Sequence, residues 1–161
     1  MPTASPDLML LLHVASRTLE TEMTVRLADL GISPRENCVL GKALGCELTQ
    51  SELAERCNLD KTTMVVTIDA LERAGLAERL PSSTDRRARI IAVTAAGARM
   101  VAKADRVVAK IYDEVLSSLP DDQRKAFLQA LTQLAKGRLS TPMPCDKPPR
   151  RRAARVPQVV R

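Results

Sequence analysis

The chain has 161 residues, of which 45% are hydrophobic and 27% are charged, and this composition is typical of a globular domain. One histidine, one tyrosine, one phenylalanine and no tryptophan exclude a multi-histidine metal site and argue against the aromatic platforms that bind single-stranded nucleic acids. The net charge of +6 lies almost entirely in residues 140–161, which contain six basic residues and one acidic residue. Any nucleic-acid interaction of the remaining residues therefore has to be argued from local motifs.

No apolar stretch approaches the roughly 18 residues of a membrane span, and residues 1–7 lack the positive region of a secretory signal. We therefore expect a cytoplasmic protein without membrane contacts. The cysteines at positions 38, 46, 57 and 145 show no C-x-x-C spacing, so the sequence predicts no zinc or thioredoxin-type motif. No metal and no cofactor are expected.

In chain order, the first predicted element is a long amphipathic helix over residues 8–30. Its apolar positions at helical spacing are Leu8, Leu11, Leu12, Ala15, Leu19, Met23 and Leu30, with Arg26 as the polar member of the row. Gly31 ends this helix. A second helix is predicted over 34–44, because Ser33 is a good N-cap and Pro34 suits the first turn.

A capping box at residues 49–52 (Thr-Gln-Ser-Glu) predicts a short helix over 50–56. A tight turn follows, in which Asn58 is expected to adopt a positive φ. Asp60 then caps a helix over 61–73. Two helices joined in this way are typical of a helix-turn-helix motif.

After Gly75 the pattern becomes extended, and strands are predicted over 76–80 and 89–93 with polar turn residues between them. A hairpin directly after a helix-turn-helix predicts a winged helix. The tip sequence D-R-R-A-R at residues 85–89 brings three arginines close together.

Two further helices are predicted over 95–119 and 121–138, separated by Pro120. The Pro-rich and basic segment 140–161 is expected to be disordered, since it has too little apolar surface to bury.

The predicted fold class is thus mainly α with a small β-hairpin wing. Residues 1–139 are expected to form a single unit, with the winged helix-turn-helix at about 33–94. The flanking helices at about 8–30 and 95–138 are expected to form a dimer interface, because their apolar rows are long for one small winged helix to cover.

This arrangement suits double-stranded DNA, since the second helix of the motif can enter a major groove and an arginine at the wing tip can enter a minor groove. The candidate contacts on the helix are Lys61, Thr62, Thr63, Val66, Thr67 and Arg73. Those of the wing are Asp85, Arg86, Arg87 and Arg89. Arg150, Arg151 and Arg152 are candidate accessory contacts to phosphates.

Three stretches resemble the MarR family of bacterial transcription regulators. Residues 85–94 (D-R-R-A-R-I-I-A-V-T) fit that family's wing pattern of D-x-R, five residues, an aliphatic residue and Thr. Residues 60–63 (D-K-T-T) and 71–76 (L-E-R-A-G-L), with Arg79 shortly after, resemble its recognition helix and the entry to its wing. Together with the flanking helices, the resemblance covers about residues 8–138.

The resemblance implies a homodimer that binds a pseudo-palindromic operator and acts as a ligand-responsive regulator, most simply a repressor. It implies that Arg87 is the minor-groove arginine, that Asp85 orients Arg87, and that Thr62 and Thr63 contact DNA. The sequence departs from the family at Val66 and Ala70, where a basic residue is common.

The resemblance also implies a small anionic or phenolic effector between the dimer helices and the winged helix. Only Tyr112 and Phe127 could offer aromatic faces to such a ligand, and the rest of the pocket is expected to be aliphatic. The effector residues are otherwise unassigned, with His13 as a weak candidate that is more simply a surface or interface histidine.

Three other functions are consistent with parts of the sequence. The chain could be a constitutive nucleoid-type or RNA-binding winged helix, or a redox regulator that uses Cys46 or Cys57. Cys38 and Cys57 are more simply small core residues than redox sensors. Cys46 is therefore the better candidate for a redox-sensing thiol. An enzyme is the weakest alternative, because the sequence has no nucleophile motif and no Gly-rich phosphate loop.

Overall fold

The computed structural model describes residues 6–82 and 88–141. Over these ranges the chain forms helices and one two-stranded antiparallel hairpin, which confirms the predicted fold class. The helices are α1 Leu8–Ala28, α2 Pro34–Ala43, α3 Gln50–Arg56, α4 Lys61–Arg73, α5 Ala95–Leu116 and α6 Asp121–Lys136, and the strands are β1 Ala77–Pro81 and β2 Arg89–Val93. The chain divides into two compact units, Met1–Ser118 and Leu119–Arg161.

Reciprocal hydrogen bonds fix the starts of α2 and α3. Thr49 Oγ1 accepts from the backbone N–H of Glu52 at 3.3 Å, and Glu52 Oε2 accepts from the backbone N–H of Thr49 at 2.8 Å, as the capping box predicts. Ser33 and Glu36 make the same pair of bonds, at 3.2 Å and 2.8 Å. The N–H of Thr49 lowers the pKa of the Glu52 carboxyl, because it binds the charged form.

Helix α5 ends at Leu116, three residues before the predicted boundary at 119. Ser117 Oγ donates to the carbonyl of Glu114 at 2.9 Å, and Ser118 Oγ donates to the carbonyl of Val115 at 2.6 Å. These hydroxyls satisfy carbonyls at the helix end, so the helix terminates before Pro120 is reached.

The hairpin is fastened to the helix-turn-helix along one edge. β1 and β2 pair with Ala77 opposite Val93 and with Pro81 opposite Arg89. The N–H of Ile91 donates to the carbonyl of Leu48 at 2.9 Å, directly before α3 begins. An isolated antiparallel bridge between Thr49 and Ile90 accompanies this bond, so the residues preceding α3 are tied to β2.

The core of the first unit is formed by α2 to α5, the hairpin and the end of α1. Its largest fully buried side chains are Leu27, Val39, Leu40, Leu53, Met64, Ile68, Leu71, Ile91 and Ile111. Leu27 is the only buried residue of α1, and the predicted apolar row of that helix does not contain it.

Apolar side chains of α1 and α6 remain uncovered in the single chain. On α1 these include Leu8, Met9, Leu10, Leu11 and Val14. In the second unit, α6 has no buried residue, and its exposed row is Phe127, Leu128, Leu131 and Leu134. None of the helices in the described ranges combines the length and the apolar character needed to cross a membrane.

The start of α5 is packed directly against the backbone that enters the wing. Thr94 Oγ1 donates to the carbonyl of Gly75 at 2.8 Å and accepts from the N–H of Gly97 at 3.0 Å. A Cβ placed on Gly97 would lie 2.0 Å from the carbonyl oxygen of Leu76. Only glycine permits this approach, so position 97 couples α5 to the wing.

We therefore expect Gly97→Ala to lower the free energy of unfolding by about 2 kcal/mol or more, because backbone atoms would have to shift. The matched control is Gly41→Ala in α2, where a Cβ would meet nothing within 4 Å. That control should raise stability by up to about 1 kcal/mol. Urea denaturation measures both, and equal effects of the two variants would contradict the packing argument.

Candidate nucleic-acid interface

The turn between α3 and α4 has the predicted backbone conformation. Asn58 has a φ of 51°, in the left-handed region that asparagine tolerates better than other non-glycine residues. The N–H of Leu59 donates to the carbonyl of Ala54 at 2.9 Å and closes the turn. Ala54 is buried where α3 meets α4, so the turn fixes the angle at which α4 leaves.

Asp60 holds the first turn of α4. Its Oδ1 accepts from the backbone N–H of Thr63 at 2.9 Å, and its Oδ2 accepts from the Thr63 hydroxyl at 2.7 Å. The backbone N–H of Thr63 is the largest cause that lowers the pKa of the Asp60 carboxyl, so the cap stays charged at neutral pH. Thr63 is half-buried and engaged by its cap, whereas Lys61 and Thr62 are exposed at the end of the helix.

The outward face of α4 carries a row of exposed side chains. Met64, Thr67, Ile68 and Leu71 are buried, and Thr62, Val66 and Arg73 lie on the opposite side of the helix. Val66 is 61% exposed. Val65, which the sequence analysis did not select, is 39% exposed beside it. The only sign of this exposure in the sequence was the position of Val65 directly before Val66.

The structure corrects the prediction made for Thr67. The sequence analysis placed Thr67 among the contacts, but its side chain is 5% exposed. Its hydroxyl donates to the carbonyl of Thr63 at 2.7 Å, so the polar group is satisfied within the helix. Thr67 therefore packs toward the core and does not belong to the outward face.

Arg79 of β1 ties the wing to α4. Its backbone N–H donates to Glu72 Oε1 at 2.9 Å, and its guanidinium forms an ion pair with the same carboxylate. The guanidinium also bonds Asp69 Oδ1 at 2.7 Å and reaches Gln50 Oε1 at 3.4 Å. One side chain therefore links α3, α4 and the hairpin, and it neutralises two carboxylates beside the outward face.

The wing itself is described only in part. Arg89 is exposed at the start of β2, opposite Pro81. Asp85, Arg86 and Arg87 lie outside the described residues, and so do Arg150, Arg151 and Arg152.

Comparisons with known proteins agree with this geometry. A family model described as the MarR family matches residues 39–88, from the middle of α2 into the wing. The HTH-type transcriptional regulator BilQ of Clostridium symbiosum is 31% identical over 97 residues, which are 60% of this chain and 66% of that protein. Over this region the chain is similar to MarR-family regulators. It matches slightly less than two thirds of the length of this curated relative.

Solved structures of MarR-family proteins have the same fold. CouR bound to a 23-mer DNA duplex is 28% identical, with a TM-score of 0.73 over 80% of this chain and 92% of that one. CouR from Rhodococcus jostii RHA1 bound to p-coumaroyl-CoA is 25% identical, with a TM-score of 0.74 over 85% and 97%. Apo MarR from E. coli, at 22% identity and a TM-score of 0.72 over 81% and 98%, shares the fold.

A cavity of about 410 Å³ lies between α1, α2 and α5. Its lining residues are Met23, Pro34, Asn37, Cys38, Gly41, Lys42, Asp105, Val108 and Tyr112. Tyr112 is one of the two aromatic residues expected at such a pocket, whereas Phe127 lies on α6 and is not part of this lining. His13 is exposed on α1 and does not line the cavity either.

Asn37 is the unusual side chain of the cavity. It is only 9% exposed, and its Oδ1 has no hydrogen-bond partner among the residues that the structure describes. A buried oxygen without a donor is costly unless something else binds it. Lys42 and Asp105 place one positive and one negative side chain around the same opening.

The cysteines differ from one another in their surroundings. Cys38 and Cys46 are exposed, so the expectation that Cys38 is a core residue was wrong. Cys57 is half-buried against the core. Burial, and then the neighbouring Cys38, raises the pKa of the Cys57 thiol to about 11. This thiol stays protonated at neutral pH, which lowers its reactivity.

We expect Asn58→Ala to lower the free energy of unfolding by about 1 kcal/mol, because alanine has a higher energy at a positive φ. Asn58→Gly is the matched control, since glycine accepts this conformation without strain. It should keep the wild-type stability or exceed it slightly. Thermal unfolding of both variants is the measurement. A loss of stability in the glycine variant equal to that in the alanine variant would show that the asparagine side chain, and not the backbone, matters here.

Proposed function

We propose that this chain is a sequence-specific regulator of transcription that binds double-stranded DNA as a homodimer and responds to a small effector. The observation that carries the proposal is the capped, exposed start of α4 beside a hairpin anchored by Arg79. This pair of elements can occupy neighbouring major and minor grooves. CouR, at 28% identity, has a solved structure bound to a 23-mer DNA duplex, which supports the same use of the fold.

In this proposal Lys61, Thr62, Thr63, Val66 and Arg73 form the major-groove surface. Arg86, Arg87 and Arg89 form the wing contacts, with Asp85 orienting Arg87, and these wing roles rest on the family resemblance. The basic run at Arg150, Arg151 and Arg152 supplies accessory phosphate contacts.

The homodimer is proposed because apolar rows on α1 and on α6 stay exposed in the single chain. A two-fold dimer presents two copies of α4 to major grooves about one helical turn apart, which favours a pseudo-palindromic operator. The proposal includes no catalytic step, in keeping with relatives that are regulators, and it places the chain in the cytoplasm with the DNA. Repression is the simplest mode of action.

The effector is proposed to bind in the cavity between α1, α2 and α5. Asn37 Oδ1 would accept a hydrogen bond from a hydroxyl or N–H of the ligand, and Lys42 would attract a negative group. The CouR complex with p-coumaroyl-CoA shows that a protein of this fold can hold a phenolic acyl ligand. A ligand that favours a different spacing of the two winged helices must weaken DNA binding by the same coupling energy, typically about 1–3 kcal/mol.

Selection from a random DNA pool tests the proposed function. We expect a pseudo-palindrome that competes with bulk DNA by about a thousandfold or more. A constitutive nucleoid-type protein would instead show little preference. Failure to enrich any sequence would contradict the proposal.

On the selected operator, Arg87→Ala should weaken binding by about 1–3 kcal/mol per subunit. Arg35→Ala, which removes the same charge from an exposed position of α2, is the control and should change the affinity little. If the Arg87 variant bound the operator with wild-type affinity, the role proposed for Arg87 in the wing would be wrong.

A panel of small phenolic acids and related metabolites, titrated into the DNA complex, tests the effector. A ligand that acts should change the operator affinity at least threefold. Asn37→Ala should then shift the ligand midpoint about tenfold or more, since a hydrogen bond from a buried group is lost. The ligand-free affinity should stay the same.

The control for the effector is Arg35→Ala, on the same helix but not part of the cavity lining. Two results count against the site. One is a response that survives in the Asn37 variant, and the other is an equal loss in the control.

A further inference from the structure

We infer that Val66, flanked by Val65, reads the 5-methyl groups of thymine, so that each half of the operator carries a thymine facing α4 at that position. The inference rests on the proposed function and specifies which DNA chemistry α4 recognises. It is carried by the exposed apolar surface in the middle of this helix.

The exposure of Val66 has no explanation within the described fold. The side chain is 61% exposed at the centre of the outward face, between Thr62 and Arg73, while the opposite face of the helix is buried. Valine also lowers helix propensity, because its branched side chain is restricted against the preceding turn. A polar or long straight-chain residue would suit this solvent-exposed position better.

The chemistry of the groove indicates the partner. In the major groove the thymine methyl is the apolar group, and the other recognition atoms are hydrogen-bond donors or acceptors. Residues 62–72 contain no lysine and no arginine, so the middle of α4 has no side chain for the usual bidentate contact to guanine. Asp69 and Glu72 are paired with Arg79, which neutralises their charge beside the outward face.

The valines are also well suited to this contact energetically. A β-branched side chain has one preferred rotamer in a helix, so little conformational entropy is lost when it packs on a methyl group. The Asp60 cap and the Arg79 bonds hold the helix that presents it. Val65 lies about 100° around the helix from Val66 and is 39% exposed, so it widens the apolar surface to one side.

The test replaces each thymine of the selected operator by deoxyuridine, which removes the methyl and leaves all hydrogen-bonding groups in place. For the thymine that Val66 contacts, we expect binding to weaken about fourfold per half-site and about fifteenfold when both are replaced, from roughly 0.8 kcal/mol per methyl group. The same replacement outside the half-sites should have no effect.

We compare the affinity for the thymine operator with the affinity for the uracil operator. In the Val66→Ala variant the ratio of the first to the second should fall close to one. Leu44→Ala is the control, because Leu44 is an exposed apolar residue at the end of α2, outside α4 and outside the helices proposed to form the dimer. That variant should keep the wild-type ratio. Sedimentation of both variants reports whether the dimer is intact.

Four results are distinguishable. If no operator is enriched, the proposed function fails, and the inference fails with it. If an operator is found, and replacing all of its thymines by deoxyuridine leaves the affinity unchanged, the inference is overturned while the proposed function stands. If Val66→Ala keeps the full ratio, another residue reads the methyl. If that variant instead alters the oligomeric state, Val66 belongs to a protein interface.

Discussion

The bonds of Arg79 are the interaction on which the proposed DNA surface depends. Its backbone N–H and its guanidinium bind Glu72 together, and the guanidinium also holds Asp69 and reaches Gln50. A protein that contacts two grooves at once loses affinity if its two reading elements move independently, because their relative motion must be frozen on binding. In this chain the elements are joined during folding. The bond from Ile91 to Leu48 fixes the wing from its other strand.

The parts of the fold that the sequence predicted well are those with a local cause. The capping box of Thr49, the cap at Asp60 and the positive φ of Asn58 each involve residues within three or four positions of one another, and all three are present. Both helices of the helix-turn-helix consequently have their predicted bounds. The end of α5 was harder to predict, because Ser117 and Ser118 bond the last carbonyls of the helix and Pro120 also disfavours its continuation.

The errors and omissions have tertiary causes. Thr67 has the spacing of a buried residue, three positions after Met64 and four before Leu71, although the sequence analysis counted it among the DNA contacts. The hydrogen bond from the Thr67 hydroxyl to the carbonyl of Thr63 offsets the free-energy cost of burying that hydroxyl. Arg79 was noticed only through resemblance, since nothing in the spacing shows that Asp69, Glu72 and Gln50 meet at one guanidinium. The unpartnered oxygen of Asn37 likewise becomes visible only when three helices surround it.

The distribution of charge along α4 separates affinity from specificity. The helix has cations at its two ends, Lys61 and Arg73, and an apolar middle formed by Val65 and Val66. Contacts between cations and phosphates weaken steeply as salt rises, whereas an apolar contact with a methyl group does not depend on counterion release. In the proposed function, the cations at the ends, together with the wing and the basic tail, set how tightly any DNA is held. In the same proposal the valines set how one sequence is preferred over another, and we expect this preference to persist at salt concentrations that weaken all binding.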